Sequence, residues 1–275
     1  MQNLSGVEGS IRAHSGGIEW LARAGYATRG FLYVIIGLLA GLTALGRGGQ
    51  TTDSKGALIK LYQQPFGQAL LVLAALGLFG FAAFRAYHAV LDPEHGERGG
   101  AGVAKRIGWA LAALLHVSLG IFAVSVLQGT SGGGTDVRSG TAELLAWAPP
   151  LGRCLVAAAG LGVVAFAFQQ LACSWRAKLD DQLDLSALSQ RARTLAIRTS
   201  RVGIAARALV FLIAGGFLVV AAVTANPNDA KGFGDSLATL RDTPVGAPLL
   251  GAVAVGLLAF AVYQLIEARY RRIAH

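Results

Sequence analysis

Gly25-Tyr26-Ala27-Thr28-Arg29-Gly30-Phe31-Leu32-Tyr33-Val34-Ile35-Ile36-Gly37 decides the fold, because the chain repeats it twice more without gaps. Gly108-Trp109-Ala110-Leu111-Ala112-Ala113-Leu114-Leu115-His116-Val117-Ser118-Leu119-Gly120 and Gly203-Ile204-Ala205-Ala206-Arg207-Ala208-Leu209-Val210-Phe211-Leu212-Ile213-Ala214-Gly215 align with it position for position. A second apolar stretch follows each copy and repeats as well. Pro65-x-Gly67 pairs with Pro150-x-Gly152 and Pro244-x-Gly246. Further along, Gly77, Phe81 and Arg85 pair with Gly162, Phe166 and Gln170, and with Gly256, Phe260 and Gln264. Coincidences at four-residue spacing put these positions on one face of a helix. The unit is therefore two helices, used three times.

Each stretch is long and apolar enough to cross a bilayer. The runs 30–46, 66–84, 107–127, 154–173, 208–225 and 247–266 approach the ~20 residues that span ~30 Å of hydrocarbon. Composition agrees: 14% of the 275 residues are charged and 54% are apolar, with Gly at 37 positions, whereas soluble domains carry about a quarter charged residues. The expected fold class is all-α, a polytopic membrane protein of six transmembrane helices. Copies of a two-span unit enter the membrane in the same direction, so the three parallel repeats form a pseudo-threefold bundle around the membrane normal. The expected limits are 20–94 for repeat one, 103–178 for repeat two and 200–272 for repeat three, with an amphipathic linker over 179–199.

The net charge of +9 is distributed unevenly. Over two thirds of the 24 Lys and Arg fall in the N-terminal arm, the 2–3 and 4–5 connections and the C-terminus. The positive-inside rule makes those segments cytoplasmic, with both termini inside. Attraction to an anionic leaflet accounts for the excess, so the lipid bilayer is the expected partner, with anionic lipid at the cytoplasmic face, and nucleic acid is not. The first 27 residues contain no apolar run ending in a cleavage site. Cys154 and Cys173 share one predicted helix, roughly 28 Å apart, and cannot bridge.

The residues 22–37, Ala-Arg-Ala-Gly-Tyr-Ala-Thr-Arg-Gly-Phe-Leu-Tyr-Val-Ile-Ile-Gly, resemble the opening signature of the bacterial family called domain of unknown function 1206, whose organisation is three tandem two-helix copies. The resemblance covers roughly 20–272. The second copy departs from it, with Ala112 at the Arg29 position and His116 at the tyrosine. It implies a multi-pass protein of the bacterial inner membrane, and no activity, cofactor or catalytic residue.

In lipid, helices approach closely over small residues, so Gly37, Gly120, Gly215, Gly77, Gly162 and Gly256 are the expected crossing points. Pro65, Pro150 and Pro244 are expected in the first turns of the second helices, where proline sacrifices no hydrogen bond. Polar groups inside spans are costly and mark function. Arg29 and Arg207 are expected to begin the first helices, with Arg85, Gln170 and Gln264 near the ends of the second, so that a cytoplasmic-side polar ring receives an anionic group. His116, near mid-span, is the one titratable group at the centre. It and His88 lie at different depths, which argues against a shared haem, and no cofactor or metal is expected. Asp53, Asp136 and Asp235 in the outer connections suit caps of short helices. No nucleophile, base and acid come together in sequence, so an enzyme is not expected. Two readings remain: binding or passage of a small solute or lipid through the bundle, or an accessory protein recruiting a partner through the basic 4–5 connection.

Overall fold

The computed structural model describes residues 3–91, 100–130, 136–147, 149–176 and 183–272, leaving out the side chains of 3–16, 18, 101, 173 and 176. Six long helices form the bundle: α1 (Asn3–Ala44), α3 (Gly67–Leu91), α4 (Gly100–Leu127), α6 (Pro149–Arg176), α7 (Gln190–Thr224) and α9 (Gly246–Tyr270). All six are long and apolar enough to cross a membrane. Between the two long helices of each repeat runs a short one: α2 (Ser54–Tyr62), α5 (Val137–Trp147) and α8 (Phe233–Arg241). Arg23 on α1 donates to the carbonyls of Ala268 and Arg269 at 2.8 and 2.6 Å, capping α9. The two chain ends therefore share one face of the bundle, called here the terminal face. The short helices lie on the opposite face.

The packing follows a threefold rule. The most extensive interfaces join neighbouring repeats: α3 with α4, α6 with α7, and α9 with α1. At each, a first-helix glycine receives an equivalent side chain. A Cβ on Gly37 would meet Leu258, on Gly120 Phe79, and on Gly215 Val164, all within 2.9 Å. One turn away the rings pair in the same sense, Tyr33 with Phe260 at 4.7 Å, His116 with Phe81 at 4.6 Å and Phe211 with Phe166 at 5.7 Å. Three equivalent pairs at each of two layers give the pseudo-threefold axis physical content.

Within a repeat the rule is kept twice and broken once. A Cβ on Gly77 would lie 2.0 Å from Thr28 Oγ1, and one on Gly256 2.2 Å from Ala206 Cβ, so α1 meets α3 and α7 meets α9 backbone to backbone. Gly162, the equivalent in repeat two, has open space before it, and α4 and α6 share no packed interface. Leu111 explains this. It stands where Thr28 and Ala206 are small, and a leucine facing a glycine holds helices apart. Gly162 is thus not a crossing point, whereas the other five glycines are. The bundle is a ring cut once, and α4 and α6 are its least buried spans, at 28% and 22% against 39–50% for the rest.

Three expectations change. The first helices start much earlier than their apolar runs suggest, α1 at Asn3 and α7 at Gln190. The Pro-x-Gly motif ends the short helix as much as it starts the long one. Pro150 does occupy a first turn, but Pro65 and Pro244 precede α3 and α9. The glycine is what the turn demands: a Cβ on Gly67, Gly152 or Gly246 would sit within 1.9 Å of the carbonyl oxygen of Tyr62, Leu144 or Arg241. The 4–5 connection is not a separate amphipathic helix over its described part; residues 179–182 lie outside the description. Leu183 and Leu185 are buried, the Asp184 amide donates to the Tyr270 carbonyl at 2.7 Å, and α7 continues unbroken from Gln190.

Candidate functional site

Arginines in lipid need partners, and here aromatic rings supply most of them. Arg271, just past α9, lies 5.2 Å from the Tyr26 ring and pairs with Glu267. Arg85 points an amino group at the Tyr26 hydroxyl, 3.4 Å away, and stacks 4.8 Å over Phe81. Arg29 lies over the same Phe81 ring at 4.7 Å. Arg207 donates from Nε to the Tyr33 hydroxyl at 2.8 Å, with Phe211 and Phe260 at 4.6 and 4.8 Å. Each such contact contributes roughly 0.5–2 kcal/mol depending on desolvation. Together they form a ladder from the terminal face towards the middle of the bundle.

The ladder is deeper than a ring at the helix ends. Arg29 lies about ten residues, or ~15 Å, into the span that opens at Glu19, and Arg207 lies halfway along α7. Between Glu19 and Glu267 no acidic residue falls inside a span. Among the described residues Glu267 is therefore the one carboxylate besides Glu19 that lies within a span, and Arg271 already holds it. Arg29 makes no hydrogen bond among the described residues. The Nε of Arg85 and the Nε2 of Gln264 are buried without a partner, Gln264 being 1% exposed. The site thus offers several unsatisfied donors and an excess of positive charge.

Towards the opposite face the axis is shut. Phe233, at the start of α8, meets the rings of Tyr33 and Phe211, and Leu58 of α2 and Leu237 of α8 are fully buried above the same core. Asp53 holds α2 in place by accepting from the Gly56 amide at 3.0 Å. Asp136 accepts from the Ser139 amide at 2.6 Å, and Asp235 from the Gly232 amide at 3.3 Å. All three aspartates serve as caps. Hydrogen bonds from Ser139 hold the Asp136 carboxyl below the usual carboxylate range.

The structure unites Arg29, Arg85 and Arg207, with Gln264 one turn from Phe260 on the same helix. Gln170 is half-buried on α6 and makes no side-chain hydrogen bond among the described residues. His116 is half-buried and bonds its own helix: Nδ1 donates to the Ala112 carbonyl at 2.7 Å. Nδ1 therefore carries a proton, which leaves Nε2 of a neutral ring as an acceptor. His88 donates likewise to the Phe84 carbonyl at 3.0 Å. Among the described residues no three His, Cys, Asp or Glu side chains gather into a metal-binding group. Sequence reasoning placed Glu267 close to the second-helix ends but missed Tyr26 and Arg271 as members of the site. Their signal was available, since Tyr26 is a polar-tipped residue two positions from the repeat's small crossing residue, and Glu267 and Arg271 are an i, i+4 pair.

The family model described as Domain of Unknown Function (DUF1206) matches residues 24–92, 107–177 and 202–271. The uncharacterized protein YxxB of Bacillus subtilis (strain 168) is 32% identical over 254 residues, which cover 92% of this chain and 91% of that protein. No solved structure matches. With six spans and three consecutive matches, the chain belongs to the DUF1206 family as a multi-pass bacterial membrane protein carrying the domain three times in tandem.

Proposed function

We propose that this protein binds a small anionic group, a phosphate or carboxylate, on the arginine ladder inside its six-helix bundle, and takes it up from the terminal face. The observation that carries the reading is the charge imbalance: Arg29, Arg85 and Arg207 lie inside the bundle, and Glu267, the carboxylate described alongside them, is already paired with Arg271. Buried cations without counter-ions are costly, and an anion that accepts their free donors would relieve that cost. The one-sided distribution of Lys and Arg supports a cytoplasmic terminal face. The apolar seal at the other face supports uptake from the terminal face. The competing accessory reading has less behind it, because Leu183 and Leu185 of the basic connection are buried in this chain rather than offered to a partner.

The test is ligand-induced thermal stabilisation of the detergent-purified protein by sn-glycerol 3-phosphate, inorganic phosphate and acetate, with chloride as control. A ligand at a hundredfold its Kd stabilises by about 2.7 kcal/mol. Arg29→Gln removes the arginine that holds no hydrogen bond, so the fold should survive while the phosphate shift is lost. An equal shift in wild type and Arg29→Gln refutes the site.

A further inference from the structure

The cut in the ring lies against the ladder. α4 and α6 flank it, and each places one repeat-equivalent residue against the arginine layer. His116 of α4 packs on Phe81, the ring beneath Arg29 and Arg85. Phe166 of α6 packs on Phe211 and lies 5.7 Å from the Arg207 guanidinium. In repeats one and three the second-helix phenylalanine is pressed into the first helix: a Cβ on Gly25 would meet Phe81 at 2.4 Å, and one on Gly203 would meet the Phe260 amide at 2.3 Å. Gly108 meets nothing. Phe166 is accordingly 40% exposed where Phe81 and Phe260 are 1% exposed, and Leu111 is 56% exposed. The cation over that phenylalanine in its own repeat is missing too, because Ala112 replaces it.

Deepening the proposed anion-binding reading, on which this rests, we infer that the ligand is an anionic lipid that enters sideways between α4 and α6, its headgroup on the arginine ladder and its acyl chains in the cut. A water-soluble anion needs only the terminal face. An opening walled by Leu111, Gly108, Gly162 and Phe166 has nothing to offer such an anion, yet suits alkyl chains. Charge decides the head: the guanidiniums of Arg29, Arg85 and Arg207 stand behind an apolar slot, Arg29 with no hydrogen bond among the described residues and Arg85 with a buried, unbonded Nε. A zwitterionic head would bring its own cation into that layer. Repeat two thus gives up its internal interface, and the site gains a lateral door.

The experiment is native mass spectrometry of the full chain in detergent, titrated with dioleoylphosphatidylglycerol or dioleoylphosphatidylcholine, beside thermal shifts with sn-glycerol 3-phosphate. Gly162→Phe fills the open space, and Leu111→Trp does so from the other wall should the first variant aggregate. Wild type should retain phosphatidylglycerol at least tenfold over phosphatidylcholine. Either variant should lose that retention at least tenfold while keeping the glycerol phosphate shift. Unchanged phosphatidylglycerol retention in a monodisperse variant overturns lateral access and leaves the anion site standing. So does a wild-type dimer that Gly162→Phe converts to monomer, because the cut would then belong to a second copy. Equal retention of both lipids also overturns it. If neither lipid nor glycerol phosphate binds in an Arg29-dependent manner, both readings fall.

Discussion

Gly256→Ala and Gly162→Ala are the same chemical change at equivalent positions, and the structure assigns them opposite consequences. At Gly256 the new methyl would lie 2.2 Å from Ala206 Cβ. Carbons in contact prefer about 3.5–4.0 Å, so α7 and α9 must part by more than an ångström along their crossing. Overpacking of this kind costs about 1–3 kcal/mol, offset in part by the roughly 1 kcal/mol helix preference of Ala over Gly. At about 2–4 °C per kcal/mol, the up to about 2 kcal/mol that remains should lower the midpoint by as much as about 8 °C. At Gly162 nothing lies within 4 Å of the added methyl. Only the propensity gain remains there, and the midpoint should stay level or rise. Intrinsic fluorescence of the four tryptophans during heating in detergent reads both. If Gly162→Ala falls as far as Gly256→Ala, α4 and α6 are packed together, and the argument for a cut ring fails.

Asp53→Ala removes the cap of α2 and should cost about 1 kcal/mol, read as a lower thermal midpoint. Asp136 carries the pH dependence. Its folded carboxyl is held below the unfolded value of ~3.9, so its stabilisation is complete above that pH and is lost as pH falls through the folded value. The midpoint difference between wild type and Asp136→Ala should accordingly be constant from pH 7 to about pH 5 and shrink on further acidification; a difference that grows in acid would contradict the assignment.

Periodicity made the six spans and the threefold repeat legible, because each repeat position faces the same surroundings: Gly37, Gly120 and Gly215 all receive the equivalent neighbour. Depth was harder to read. Arg29 and Arg207 look like helix ends in a hydropathy profile, since arginine breaks the apolar run, yet aromatic rings from other helices let both sit well inside. Such partners lie far away in sequence, Tyr33 and Arg207 being in different repeats. The cut was written at one position. Thr28, Leu111 and Ala206 align, and the single large residue among them marks where the helices stay apart, but its meaning requires knowing that this column faces the second-helix glycine.

The interface between α1 and α9 has a consequence for biosynthesis. The first helix to enter the membrane finds one of its principal partners in the last, and Arg23 caps carbonyls at Ala268 and Arg269. At about 5–20 residues per second, on the order of 10–50 s separate the emergence of the two. Until α7 and α9 follow, α1 has only α2, α3 and the surrounding lipid, with Arg29 already beneath the surface and Tyr33 not yet joined to Arg207. Nascent chains stopped before residue 246 should therefore be held by membrane chaperones or degraded, and the quality of the finished bundle is decided when its final helix arrives.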